Sequence, residues 1–137
     1  MANDSASASL PSTASLRGAA QAAVARGEPL VVMTTLSGCP YCDLVRNHHL
    51  LPMMNKGQVI AVQIDIRDRT GNLQGFDGNM TTPADQAKAW KARFAPTVMF
   101  FGTRGEELAE RLVGVAVPDF YGEYLDERLR LARSRLR

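Results

Sequence analysis

An α/β fold built on a mixed sheet of about four strands is predicted by three observations on the sequence. Two continuous apolar, β-branched runs are joined by a segment long enough for a helix, which is typical of a parallel β-α-β unit. Two further strand patterns lie only a turn apart, as in an antiparallel hairpin. Segments with helical periodicity or capping signals surround the strands, so the predicted order is α-β-α-β-α-β-β-α.

The first half of the chain contains the parallel unit. Residues 1–12 are rich in Ser and Ala and are expected to be a flexible leader, so the domain is predicted to cover 13–137. Gly27 suits the left-handed residue that ends a helix. The predicted elements are a helix over about 13–26, a strand buried on both faces over 30–36, a helix that Pro40 opens and Pro52 ends or kinks, and a buried strand over 58–66.

The second half is expected to supply the hairpin and two more helices. A polar stretch over 67–81 carries turn signals, and Thr82 then caps a helix whose buried side includes Trp90 and Phe94. The remaining elements are a strand over 97–101, a turn over 102–106, a strand over 108–113 and a last helix from Pro118, whose late arginines are expected to form a solvated face.

Composition excludes several classes of function. The 137 residues carry 16 basic and 14 acidic side chains, and this net charge of +2 lacks the concentrated basic field of a nucleic-acid-binding protein. No apolar run reaches the roughly 18 residues of a membrane helix, and the N-terminus lacks a signal-peptide pattern. We therefore expect no nucleic acid and no membrane insertion, and the chain is either cytosolic or the mature form of an exported protein.

The two cysteines carry the candidate chemistry. Cys39-Pro40-Tyr41-Cys42 directly follows a strand and opens a helix, so both sulfurs lie on one helix face at the spacing of a disulfide. The helix N-terminus favours the thiolate of Cys39, and Cys42 lies one turn further in, where it is more shielded. Cys39 is therefore the candidate nucleophile of thiol–disulfide exchange, and Cys42 is the candidate resolving thiol.

Zinc binding is the first alternative for the cysteine pair. A structural zinc site needs four ligands, and the residues that could assist, His48 and His49, lie on the same predicted helix as the cysteines. A C-x-x-C pair near a β-α-β pattern favours redox chemistry, so neither a metal nor a bound cofactor is predicted. A pair without a chemical role is the remaining alternative.

Four features in order resemble the thioredoxin superfamily. They are the strand at 30–36, the Cys39–Cys42 motif, Ala95-Pro96-Thr97 before an apolar strand, and Gly114 followed by Pro118. The resemblance covers about residues 14–135 and implies a three-layer α/β/α fold with a cis bond before Pro96, facing the cysteines. The resemblance also implies that this cis-proline leaves the backbone of Ala95 free to pair with an extended substrate segment. The candidate substrate-binding residues are Pro40, Tyr41, Ala95, Pro96 and Thr97.

The sequence departs from the two main branches of this superfamily. Cys-Pro-Tyr-Cys is typical of glutaredoxins, but the Thr-Val-Pro and Gly-Gly patterns of that family are not found around Pro96 and after the strand. Ordinary thioredoxins have Trp in place of Gly38. They also have, in place of Met33, a buried Asp that accepts the proton of the second cysteine, so the residue that accepts the proton of Cys42 here stays open. The longer segment over 67–82 is similar to the SoxW-type thioredoxin-related proteins of bacteria, many of which are exported.

The resemblance implies a thiol–disulfide oxidoreductase that acts on protein thiols and disulfides. We expect it to work as a reductase supplied by an upstream redox partner, as a monomer, and in the periplasm, with the cytoplasm as the alternative compartment. Two other functions stay open: a glutathione-linked glutaredoxin-like enzyme, and a thioredoxin-fold module that binds a metal or cluster without catalysis.

Overall fold

The structure is a computed structural model that describes residues 9–136. Its strands are β1 (Leu30–Thr35), β2 (Ile60–Asp65), β3 (Leu73–Gln74), β4 (Met80–Thr81), β5 (Thr97–Phe101) and β6 (Glu107–Val113). Its helices are α1 (Leu16–Ala25), α2 (Pro40–Val45), α3 (Leu51–Asn55), α4 (Pro83–Ala89) and α5 (Tyr121–Ser134), with a π-helical turn at Arg46–Leu50 and a 3₁₀ turn at Pro118–Phe120.

Four strands form the central sheet in the order β2-β1-β5-β6. β1 and β2 run parallel in a register that pairs Leu30 with Ile60 and Thr35 with Asp65. β5 is antiparallel to both of its neighbours, β1 and β6. The parallel pair follows from the long helical crossover and the antiparallel pair from the short turn between β5 and β6. This confirms the predicted mixed sheet of four strands flanked by helices.

Two apolar cores lie on opposite faces of the sheet. Leu30 and Val32 of β1 pack with apolar residues of α1 and α4, whereas Val31 and Met33 pack with residues of α2 and α5. All six residues of β1 are buried, as predicted from its continuous apolar run. Because both faces of the sheet are covered by helices, the residues of a functional site are expected beyond the end of β1, where the chain leaves the sheet.

A single helical segment, α2 to α3, follows β1. Pro52 does not end this helical segment. The turn just before it is π-helical and contains one residue more than a turn of α-helix. The N–H of Leu51 bonds to the carbonyl of Arg46, five residues back, and Pro52 then lies in the first turn of α3. A proline is tolerated there, since it has no N–H to place.

The segment over 67–81 is more ordered than its turn signals suggest. β3 and β4 pair as a two-stranded antiparallel sheet, and the buried Leu73 joins the core under α1. The N–H of Gln74 donates to the carbonyl of Ala14, which ties the hairpin to the start of α1. Strands of two residues are too short to show the alternating pattern from which a strand is predicted.

The N-terminal part of the described chain packs against the domain. Leu10 is buried, and the carbonyl of Pro11 accepts a hydrogen bond from the N–H of Gln63 at 3.0 Å. α1 begins after Ser15, whose Oγ accepts from the N–H of Gly18. Residues 1–8 of the predicted leader lie outside the described residues, and the boundary at residue 12 stays a prediction.

The late arginines are mostly exposed, as expected, but several of them also donate hydrogen bonds to carbonyls of neighbouring segments. Arg128 and Arg135 donate to the carbonyls of Glu110 and Leu108 on β6, at 3.1 and 2.9 Å. Arg133 donates to the carbonyl of Gln58 at 2.7 Å. β6 is an edge strand, and charged donors on its free carbonyls occupy an edge that would otherwise be open to pairing.

Candidate redox site

Cys39 and Cys42 form a disulfide at the N-terminus of α2. Cys39 is the N-cap residue, Pro40 is the first helical residue, and the two Cα atoms lie 5.2 Å apart. Cys42 is fully buried, whereas Cys39 is only partly buried. The structure therefore brings both predicted cysteines together and gives them the unequal exposure that the helix position predicts.

The backbone of α2 donates to the sulfur of Cys39. The N–H of Cys42 points at Cys39 Sγ over 3.2 Å, in the manner of an N-cap bond. Pro40 has no N–H to offer, and the N–H of Cys42 is the donor that the structure records at this sulfur. A hydrogen bond from an N–H at the positive end of a helix stabilises a thiolate more than a neutral thiol.

Gly38 turns the chain from β1 into α2. Its φ of +74° lies in the left-handed region, which residues with a Cβ rarely adopt. No heavy atom comes within 4 Å of the position that a Cβ would occupy. Glycine is therefore favoured here by the backbone conformation and not by a lack of space for a side chain.

A loop before β5 faces the disulfide. The Ala95–Pro96 peptide bond is cis, which is the geometry that the resemblance implies. The carbonyl oxygen of Ala95 lies 3.6 Å from Cys39 Sγ. Thr34 of β1 holds this loop in two ways, because its hydroxyl donates to the carbonyl of Phe94 and accepts from the N–H of Thr97.

The predicted substrate-binding residues differ in what they expose. Pro40 is exposed, and the side chain of Tyr41 is 52% exposed beside the disulfide. Ala95 is partly buried and Pro96 is buried. Thr97 is buried as well, and its hydroxyl donates to the carbonyl of Phe94 at 2.6 Å. Thr97 thus positions the loop and presents no side chain at the surface.

Phe94 was expected in the core and is instead 68% exposed. α4 ends at Ala89, and Lys91 adopts a left-handed φ of +58°, so Phe94 is not on the buried side of a helix. Pro96 was the signal in the sequence, because a residue before proline is extended and a helix must end before it. Phe94 adjoins Ala95 and is an exposed aromatic side chain that the sequence analysis did not assign to the site.

The surroundings of Cys42 are apolar. Met33 and Val45 belong to the same buried cluster. No Asp or Glu is among the buried side chains of residues 9–136, so this part of the chain places no buried carboxylate near Cys42. The structure agrees with the sequence on this point and supplies no acid in place of Met33.

Tyr121 and His49 are in contact where the start of α5 packs against the π-helical turn. The hydroxyl of Tyr121 is buried without a protein hydrogen-bond partner among the described residues, and burial raises its pKa. The ring of His49 lies 5.2 Å from that of Tyr121. Burial lowers the pKa of His49, and neighbouring His48 lowers it further, while Asp126 acts in the opposite direction. His49 is therefore a packed side chain, whereas His48 is exposed.

The described part of the chain offers neither a group of metal ligands nor a membrane-spanning helix. Over residues 9–136, no three His, Cys, Asp or Glu side chains come together in a group that could hold a metal ion. Within the same range, no helix has both the length and the apolar character needed to cross a membrane.

Comparison with known proteins decides the family. The family model for a thioredoxin-like domain matches residues 16–128, which is most of the chain. The chain belongs to the thioredoxin-like domain family. A comparison with curated protein sequences gives no significant match.

Several solved structures that are similar to this thioredoxin-like domain are thioredoxins. Thioredoxin O2 from Arabidopsis thaliana in the oxidised state is 19% identical, with a TM-score of 0.57 over 89% of this chain and 96% of that one. Fasciola hepatica thioredoxin is 16% identical, with a TM-score of 0.57 over 93% and 100%. Mitochondrial thioredoxin 3 from Saccharomyces cerevisiae, oxidised, is 17% identical, with a TM-score of 0.55 over 88% and 93%. At these identities the likeness shows the fold.

Proposed function

We propose that this thioredoxin-like protein is a thiol–disulfide oxidoreductase in which Cys39 attacks the substrate and Cys42 resolves the intermediate. The observation that carries the proposal is the N–H of Cys42 aimed at the partly exposed Cys39 sulfur, with Cys42 itself buried. The donor favours a thiolate at Cys39, and the thiolate is the nucleophile in disulfide exchange. Because Cys42 is buried, a substrate in solution cannot reach its sulfur directly.

The reaction consists of two exchanges at sulfur. The Cys39 thiolate attacks one sulfur of a substrate disulfide, the substrate S–S bond breaks, and the released substrate thiolate takes a proton from solvent. Cys42, once deprotonated, attacks Cys39 Sγ, which frees the second substrate thiol and forms the Cys39–Cys42 disulfide. The substrate gains two electrons and the protein loses two. An upstream dithiol must then reduce the pair again.

The substrate groove that we propose runs between the helix start and the loop before β5. Pro40 and Tyr41 form one exposed side, and Ala95 with buried Pro96 forms the other. The contact between Cys39 Sγ and the Ala95 carbonyl joins the two sides. We add Phe94 to the groove, because its exposed ring adjoins Ala95 and would bury apolar surface against a bound polypeptide.

The proposed direction of electron flow is reduction of protein disulfides, as the resemblance of the sequence to the thioredoxin superfamily implies. The partners would be a disulfide-containing protein and an upstream donor of electrons. A periplasmic location and the SoxW-type subgroup stay predictions from the sequence.

Two single substitutions test the function. Wild-type protein with excess dithiothreitol is expected to reduce a protein disulfide, and Cys39→Ser is expected to abolish this activity. Cys42→Ser keeps the nucleophile but cannot resolve, so it is expected to accumulate a mixed disulfide that mass spectrometry detects. Full activity of Cys39→Ser would overturn the proposal.

A further inference from the structure

The side chain of Arg46 joins α2 to the two parallel strands of the sheet. Its backbone N–H donates to the carbonyl of Cys42, so Arg46 lies one helical turn beyond the buried cysteine. Within α2, Nη1 of its guanidinium donates to Oδ1 of Asp43 at 2.8 Å. On the sheet, Nη2 donates to Oγ1 of Thr35 at 2.9 Å, and Nε donates to Oε1 of Gln63 at 3.1 Å.

The guanidinium of Arg46 is largely buried, since only 11% of its side chain is exposed. Its charged partner Asp43 is 66% exposed, so the ion pair reaches solvent on one side. On the other side the acceptors are neutral side chains of β1 and β2. A buried cation destabilises a fold unless its donors are engaged. The three hydrogen bonds therefore hold Arg46 in one place and fix the elements that it joins relative to one another.

The contacts of Arg46 hold both ends of the segment that carries the cysteines. Thr35 is the last residue of β1, and Asp43 lies in the first turn of α2. The same guanidinium thus binds the two ends of the segment over 35–43. The N–H of Asp43 also donates to the carbonyl of Cys39 at 3.1 Å. A continuous path of hydrogen bonds therefore runs from Arg46 to the residue that we propose as nucleophile.

The hydrogen bond to the Cys39 sulfur depends on where the first turn of α2 lies. The N–H of Cys42 reaches that sulfur over 3.2 Å, and a hydrogen bond weakens steeply as its angle departs from linear. Gly38 precedes Cys39, and glycine restricts the backbone less than any other residue does. The loop from β1 therefore does little to fix the direction of α2, and contacts outside the loop must do so.

We propose that Arg46 is a positioning residue that fixes the first turn of α2 to β1 and β2, and so keeps the N–H of Cys42 directed at the sulfur of Cys39. The inference rests on the proposed function and adds to it a residue that supports the thiolate without touching the substrate. Arginine suits this place because its planar group donates in several directions at once, whereas the ammonium of lysine is a point charge on a flexible stem.

The pH profile of Cys39 alkylation in the reduced protein tests this role. The rate with iodoacetamide, followed by mass spectrometry, rises with pH as the thiolate forms. In Arg46→Met the half-maximal rate is expected about one pH unit higher than in wild type, because the thiolate loses a charge-assisted hydrogen bond. An unchanged profile in folded Arg46→Met protein would overturn the inference.

Arg46→Lys separates geometry from charge. It keeps the positive charge but cannot make the three directed contacts, so it is expected to show more than half of the shift seen in Arg46→Met. A smaller shift would mean that the charge of Arg46 acts and its geometry does not, which would overturn the inference.

Thr35→Val removes the anchor on β1 without changing any charge, and valine suits a buried strand, so this variant folds even if Arg46→Met does not. Its profile is expected to shift upward by about half a pH unit. Combining it with Arg46→Met should add nothing, because both substitutions break the same contact. No shift in the single variant, or additive shifts in the double variant, would overturn the inference.

Arg128→Met is the matched control. It removes another mostly buried arginine that bonds to an acid and a carbonyl, but at the β6 edge of the sheet. This control should lose stability without a change in the Cys39 profile, and a shift as large as that of Arg46→Met would overturn the inference. Failure of the wild type to reduce a protein disulfide would instead remove the proposed function itself.

Discussion

Cys39 and Cys42 have the same side chain but very different surroundings. Cys39 receives a backbone N–H and is partly open, whereas Cys42 is enclosed with Met33 and Val45. The helix start stabilises negative charge on the first sulfur, and apolar burial disfavours charge on the second. The division of labour between attacking and resolving thiol therefore follows from position in α2.

Reduced Cys39 is expected to react with iodoacetamide at neutral pH at least about tenfold faster than Cys42, because the thiolate is the reactive form and Cys42 is buried. Mass spectrometry of partly alkylated protein measures the two rates separately. Equal labelling of both cysteines would contradict the assignment of roles.

Phe94→Ala is expected to lower kcat/KM for a protein disulfide about tenfold through a higher KM, because about 1–2 kcal/mol of apolar burial against the substrate is lost. The rate with bis(2-hydroxyethyl) disulfide should not change. Phe120→Ala removes another half-exposed ring, at the turn before α5, and serves as the matched control. A Phe94 variant no worse than the Phe120 variant would exclude the ring from the groove.

At the scale of elements, α5 holds the fold together on two sides. Its start packs Tyr121 against His49 of the π-helical turn, and its later part caps the carbonyls of β6 with Arg128 and Arg135. The same helix thus supports the segment that carries the cysteines and occupies the open edge of the sheet. Each of these two contacts gives a stability prediction.

The contact of His49 makes stability depend on pH. Burial holds the pKa of His49 below its ordinary value of 6.5, so the unfolded chain binds more protons than the folded one once the pH falls below about 6.5. The neutral, partly buried His49 side chain therefore contributes its full stability above about pH 6.5, and this contribution decreases as the pH falls below that value. His49→Gln should lose less stability than wild type between pH 7.5 and 5.5 in urea denaturation, and identical losses would contradict this.

The arginine contacts with β6 should be visible as stability. Arg128→Ala removes a charged donor from the Glu110 carbonyl and is expected to lower the free energy of unfolding by about 1–3 kcal/mol. Arg130→Ala, on the same helix but exposed, should change it by no more than about 0.5 kcal/mol. Similar values for both variants would mean that the carbonyl contact contributes nothing.

At the scale of the whole molecule, the sheet gathers the site from distant parts of the chain. β1 ends just before the cysteine motif, β2 ends beside the end of β1, and β5 begins directly after Pro96. Because β5 is antiparallel to β1, its start lies beside the end of β1. The crossover and hairpin lengths were sufficient to predict the parallel pair β1–β2 and the antiparallel pair β5–β6, but they did not predict that β5 lies beside β1.

The sequence was insufficient where tertiary packing decides. Phe94 is exposed because α4 stops at Ala89 and Lys91 adopts a left-handed conformation. Pro96 indicates that a helix must end before Ala95, but it does not indicate a stop as early as Ala89. The arginines of α5 reach carbonyls of β6 only once the helix lies along the strand.

Redox titration of the Cys39–Cys42 pair against glutathione buffers, with free thiols trapped by alkylation, tests the central claim most directly. The account predicts a single two-electron transition in which both cysteines change together, at a potential near about −270 mV, as expected for a thioredoxin-like reductase. A potential between about −180 and −120 mV would reverse the proposed direction of electron flow. Cysteines that stay fully alkylated in every buffer would contradict the claim that this pair is a redox centre.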